Sequence, residues 1–141
     1  MQGDDLLEIA FPDILKREIG HLGIELSLAQ LEQFQRYYYE LNEWNSRVNL
    51  TSVTEWEDVQ SRHYLDSLTA ALVIPKAILG SGRFVDVGSG GGFPGVPLLL
   101  AFPGMKGTLV EATGKKTTFL EHLKDSLGLE GLEVLNGRAG T

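Results

Sequence analysis

FVDVGSGGGFPGVPLLLAF, running from Phe84 to Phe102, is the stretch from which the rest of the chain can be read. Phe84, Val85 and Val87 are β-formers and predict a buried strand. Gly88 to Gly92 holds four glycines in five residues, so the backbone there can take positive φ and let a ligand approach closely. Pro94 suits the first turn of a helix, where a missing N–H costs nothing. Val96 to Phe102 is apolar enough to lie against a sheet. A strand, a glycine turn and a helix N-terminus in succession make a nucleotide-sized pocket.

Downstream, strand and helix alternate. The first strand covers Arg83 to Val87, and its helix runs from about Pro94 to Phe102, stopped by Pro103-Gly104. A second strand, Gly107 to Glu111, leads to a helix from about Lys115 to Leu127. Phe119, Leu120, Leu123 and Leu127 form that helix's apolar face, and Gly128 stops it. A third strand follows at Leu132 to Leu135. This βαβαβ order over 83–141 is the half-unit of a doubly wound parallel sheet, an α/β fold.

Upstream, residues 1–82 read as a helical region. Pro12 opens a helix to about His21, with Ile14, Leu15, Ile19 and Leu22 on one face. Ser27 to Gln30 has the form of a capping box. The helix it starts is expected to end near Asn45, with Leu31, Phe34, Tyr38 and Leu41 as its core stripe. Thr54 to Glu57 reads as a second capping box, opening a helix that carries Val59, His63, Leu65, Asp66, Leu68 and Leu72. His63 and Asp66 are three apart, hence neighbours on one helical face. Pro75 and Gly80-Ser81-Gly82 are expected to end the helical region in a turn.

The totals bound the function. With 141 residues the chain can build one real core. It has no cysteine, so disulfides and Cys-based metal sites are excluded, and no metal site is expected. No apolar run would span a bilayer. The N-terminus MQGDDLLEIAF carries acid where a signal peptide carries base, so the expected compartment is the cytoplasm. The net charge of −7 disfavours nucleic acid at first sight, but all of it lies before Arg83, where thirteen acids face six bases. From Arg83 onward there are six of each, which leaves room for a local basic face at Lys115 and Lys116.

Two glycine patterns overlap in the loop. Gly90-x-Gly92-x-x-Gly95 fits the dinucleotide fingerprint, and Asp86-x-Gly88-x-Gly90-x-Gly92 fits the loop of S-adenosylmethionine-dependent methyltransferases. A pyrophosphate would be repelled by Asp86, whereas a sulfonium and an ammonium group would be attracted, which favours the methyl donor. Glu111 ends the second strand 25 residues after Asp86. A carboxylate there can accept both hydroxyls of a ribose, so it supports an adenosine-containing ligand without saying which.

The segments NLT (Asn49 to Thr51), RHYLDSL (Arg62 to Leu68), DVGSGGGFPGVPL (Asp86 to Leu98), EATGKKTTFL (Glu111 to Leu120) and NGRA (Asn136 to Ala139) together resemble the bacterial small-subunit ribosomal RNA guanine-N7 methyltransferases, the RsmG or GidB family. The resemblance covers about Ser27 to Ala139. It implies a Rossmann-like class I methyltransferase sheet. It places Gly88 and Gly90 beside the methionine part of the cofactor and Phe93 at the mouth of the loop. Glu111 would sit on the ribose, with Ala112 and Thr113 along the adenosine. After the third strand the family's Arg-Ala-Glu segment lies beside the adenine. Here it reads Arg138-Ala139-Gly140, so a backbone contact from Ala139 or Gly140 can persist and a side-chain contact cannot. His63 and Asp66 would lie near the cofactor mouth. Family members continue through four more strands, and the first strand's outer neighbour is among them. That strand is therefore expected to be an exposed apolar edge, and the chain to be a fragment or truncated product.

The implied reaction moves a methyl group from a sulfonium to guanine N7 of small-subunit ribosomal RNA. N7 offers a free lone pair and loses no proton, so no catalytic acid–base pair is expected and none is identifiable. Arg62, Lys115 and Lys116 are candidates for phosphate contact. The alternatives are a class I methyltransferase acting on a protein or small molecule, a non-catalytic module that holds the cofactor or nothing, and, opposed by Asp86, a nicotinamide-dependent oxidoreductase.

Overall fold

Local signals set the helical part, which the computed structural model describes from residue 9 within a described chain of 9–88 and 90–137. Helix α1 (Asp13–Ile19) tightens into a 3-10 turn over Gly20–Leu22 and stops at Gly23. Helix α2 (Leu28–Val48) opens on the predicted capping box: Gln30 N–H donates to Ser27 Oγ at 3.1 Å, and Ser27 N–H donates to Gln30 Oε1 at 2.7 Å. It runs past Asn45 to Val48. The Asn45 side chain does not stop the helix but reaches forward, its Oδ1 accepting from Leu50 N–H (2.7 Å) and Thr51 N–H (2.9 Å).

The expected second capping box does not form. Helix α3 (Trp56–Asp58) starts with Glu55 at its N-cap and no side-chain cap, and the Thr54 carbonyl is taken by the Tyr38 hydroxyl at 2.6 Å. α3 continues through a π-helical segment, Val59–Leu65, into α4 (Asp66–Leu68) and a 3-10 stretch, Thr69–Val73. π-helical insertions are uncommon and are frequent at functional sites. Leu72 is 62% exposed near the end of this run. Gly80 and Ser81 are not a turn but the end of helix α5 (Lys76–Ser81).

The α/β part follows the predicted order closely. Strands β1 (Arg83–Val87), β2 (Lys106–Glu111) and β3 (Leu132–Asn136) are all parallel, in the order β1-β2-β3. Helix α6 (Gly95–Ala101) joins the first two, with Pro94 at its N-cap rather than inside its first turn. Helix α7 (Gly114–Leu127) joins the second and third and ends at Gly128, φ 66°. Asp86 stands opposite Leu109, and Glu111 opposite Asn136. β1 stands at an edge of the sheet, as expected, but Val85 and Val87, read as part of a buried strand, are 66% and 54% exposed, because they point to the face that α6 and α7 leave uncovered.

One core serves both parts. Leu15, Leu31, Phe34, Tyr37, Leu41, Val59, Tyr64 and Leu68 pack with Val96, Leu100, Leu109, Phe119, Leu120 and Leu123. In the aromatic run of α2, Tyr37 and Tyr39 are buried, and Tyr38, expected on the core stripe, is only partly so. Tyr38 instead stacks on Trp56, with centroids 4.5 Å apart. No helix among the described residues is long and apolar enough to cross a membrane, and no group of three or more His, Asp or Glu could hold a metal ion.

Candidate functional site

The parallel strands bring Asp86 and Glu111 to the ends of adjacent strands, and the glycine loop folds over both. Gly95 N–H donates to Asp86 Oδ2 at 3.1 Å. Gly90 N–H donates to Glu111 Oε2, also at 3.1 Å. Each carboxylate therefore holds a different end of the loop. Gly88 and Gly90 take positive φ, 74° and 59°, a conformation that L side chains rarely adopt. Gly95 is required by packing instead: a Cβ there would meet Leu109 at 2.8 Å and the Asp86 carboxylate at 3.1 Å.

Burial pushes the Asp86 carboxyl up from its usual range, and the charge of Glu111 adds to this, while the Gly95 N–H opposes it. Among the described residues no Lys, Arg or His forms an ion pair with either acid. The site is thus a half-enclosed pair of acids without a counter-charge. Such a pair of acceptors fits a cationic ligand bearing hydroxyls and disfavours a pyrophosphate. Glu111 is more enclosed than a solvated strand end, at 6% exposure, because the loop lies over it. Ala112 and Thr113 are exposed in the short connection to α7. Arg138, Ala139 and Gly140 lie outside the described residues.

Phe93 sits in a stack that ties the loop to the helices. Its ring lies 5.4 Å from that of Tyr37 at 18°, and 4.2 Å from that of His63 at 13°. The Tyr37 hydroxyl donates to the Gly91 carbonyl at 2.6 Å. A Cβ on Gly92, φ 101°, would meet that hydroxyl at 2.7 Å. On the far side His63 Nε2 and Thr51 Oγ1 are 2.7 Å apart. Burial lowers the His63 pKa and the Arg62 charge lowers it further, against the opposing pull of Asp66. Tyr37 and Thr51 were not among the sequence-derived site residues. Thr51 belongs to the NLT segment, which was the available signal, whereas nothing in the sequence singles out Tyr37 from its two neighbours.

The structure brings Arg62, His63 and Asp66 together with Phe93 and Pro94 around a cavity of about 520 Å³. Lys115 lines a different, shallow cavity of about 260 Å³ with Trp44 and Arg47, whose guanidinium lies 4.8 Å from the Trp44 ring centre. The cationic residues proposed from sequence are therefore divided between two places. Lys116 is partly buried on α7.

Comparison with known proteins gives the chain a family. Residues 30–141 match the family described as rRNA small subunit methyltransferase G, GidB. The chain is 49% identical over 121 residues to a protein of Dehalococcoides mccartyi named ribosomal RNA small subunit methyltransferase G, covering 86% of this chain and 50% of that one. Proteins of the same name from Halalkalibacterium halodurans and Roseiflexus castenholzii are 43% and 45% identical, covering 89% and 90% of this chain and 52% and 53% of theirs. The chain spans about half the length of the curated relatives it matches. On the strength of the family match over most of its length, this chain belongs to the rRNA small subunit methyltransferase G family.

Proposed function

We propose that the chain provides the methyl-donor site of an S-adenosylmethionine-dependent enzyme that methylates N7 of a guanine in small-subunit ribosomal RNA, in the cytoplasm. The observation that carries this is the pair of unpaired acids, Asp86 and Glu111, clamped to the two ends of the glycine loop. The names of the relatives support the RNA substrate.

When bound, the cofactor supplies a methyl carbon activated by a sulfonium. Asp86 favours that positive charge. Glu111 keeps Oε1 for a ribose hydroxyl while Oε2 holds Gly90, and Ala112 and Thr113 lie along the adenosine. Gly88 and Gly90 let the backbone approach the methionine part, and Phe93 walls the mouth. By resemblance, Ala139 or Gly140 adds a main-chain contact to the adenine. The target nitrogen needs no base, so these residues contribute by aligning the reactants and excluding water. N7 is hidden in an A-form helix, so the guanine must be exposed or unpaired. Arg62, Lys115 and Lys116 are proposed to contact phosphates.

Calorimetry on this chain with S-adenosylmethionine tests the donor site. Binding is expected, and Asp86→Asn, which can still accept from Gly95 N–H, should weaken it about tenfold, roughly 1.4 kcal/mol. Absence of heat at millimolar cofactor, or an unchanged affinity in the variant, would remove Asp86 from the reading. Methyl transfer into a small-subunit RNA transcript, lost when the guanines are replaced by 7-deazaguanine, tests the acceptor.

A further inference from the structure

The cavity between the π-helical segment, α4 and the glycine loop has a wall of unusual make-up. One side is the ring stack of His63 on Phe93, followed by Pro94. Asp66, three residues after His63 on the same helical run, also lines the cavity and is exposed. Its carboxylate takes part in no hydrogen bond or ion pair among the described residues; the Thr69 hydroxyl bonds the Asp66 main-chain carbonyl instead. Arg62, about one turn earlier in the same helical run, also lines the cavity and forms no ion pair with Asp66. A carboxylate with no hydrogen bond or ion pair among the described residues thus lines a space of about 520 Å³ shared with His63, Phe93 and Pro94, the last two following the glycine run in sequence.

A carboxylate is an acceptor on both oxygens. Of the four RNA bases only guanine places two neighbouring donors, N1–H and the N2 amine, on its pairing edge. Adenine and cytosine offer one donor beside an acceptor, and uracil one donor between two acceptors. We propose that Asp66 is the specificity-determining residue that holds the target guanine by its N1–H and N2–H, an inference that rests on reading the chain as a guanine-N7 methyltransferase. Held by that edge, the base leaves N7 free on its other edge. The same two donors are those it would use in pairing, so only an unpaired guanine qualifies. Arg62 stands beside the pocket as a phosphate or O6 donor.

The test is a nuclear magnetic resonance titration of the 141-residue chain with nucleoside monophosphates, with S-adenosylhomocysteine binding measured by calorimetry on the same samples. Guanosine monophosphate is expected to shift the amides of residues 62–70 and of Phe93. Inosine monophosphate, which lacks the N2 amine, should bind about tenfold more weakly, and adenosine monophosphate more weakly still. Asp66→Asn should lose guanosine monophosphate and gain xanthosine monophosphate, because an amide can donate to the xanthine O2 while accepting from N1–H. A gain of binding cannot come from misfolding. Equal binding of the guanine and adenine nucleotides, no binding of either, or an Asp66→Asn chain that keeps its guanine preference would overturn the proposal. If S-adenosylhomocysteine still binds in those cases, the methyl-donor reading stands alone. If it does not, that reading falls as well.

Discussion

The two faces of the sheet are built from the same three strands and meet different surroundings. On one face Leu109 and Leu132 are buried and Phe84 and Val134 partly so, joined to the core that α2, α6 and α7 complete. On the other, Val85 (66%), Val87 (54%) and Leu135 (45%) are exposed. In sequence the faces are alike, because parallel strands covered on both sides read as continuous apolar runs. Hydrophobicity therefore identified the strands without saying which side is covered here. What distinguishes the covered side is its polar ends. Glu111 shares that face with Leu109, and the loop it holds is braced from α2 by Tyr37.

Substitutions can sharpen this contrast. The largest effect is expected at the centre of the covered face. Leu109→Ala should cost about 2–5 kcal/mol in urea unfolding, since the fully buried side chain leaves a cavity between α6 and β2. A cost below about 1 kcal/mol would mean that this face is no better packed than the other.

A smaller effect is expected at the titratable ring that stacks on Phe93 of the glycine loop. Burial first, and the Arg62 charge second, hold the His63 pKa below its ordinary value, against the opposing effect of Asp66. The unfolded chain then takes up a proton at higher pH than the folded chain. The stability owed to the neutral ring is complete above about pH 6.5 and is lost as pH falls through that value toward the lower folded one. Thermal unfolding from pH 7.5 to pH 5 should show a decline that His63→Gln reduces. Parallel profiles for the two chains would refute it.

The smallest effect belongs to the open face. Val85→Thr with Val87→Thr should change stability by no more than about 0.5 kcal/mol each, because neither side chain leaves water on folding to the extent that Leu109 does. A loss comparable to that of Leu109→Ala would show that the open face is covered in solution.

Much of the fold was legible. β1 spans Arg83 to Val87 as read, and the Ser27 to Gln30 cap is formed. The misses have local causes. Thr54 resembled a cap residue, but its carbonyl is occupied by Tyr38 and the helix starts after it. Helical spacing placed Tyr38 in the core, whereas tertiary packing of α2 turned Tyr37 and Tyr39 inward. Of the site, Asp86, Glu111 and the glycines could be read because each must stand at a fixed step along a strand–loop pattern. The bracing by Tyr37 could not, because it joins residues 54 apart in sequence. The enclosure of Glu111 also escaped, since the path of the loop over the strand end is a matter of tertiary geometry.

The bond between Gly90 and Glu111 has a further consequence, for the entropy of binding. A glutamate left free at a strand end would surrender its rotamer freedom when a ligand arrived, at a cost of about 1.5–2 kcal/mol. Glu111 has already given up that freedom to the loop when the chain folds. The hydroxyl it meets encounters an acceptor fixed in advance, and the conformational cost of recognition is moved from association to folding.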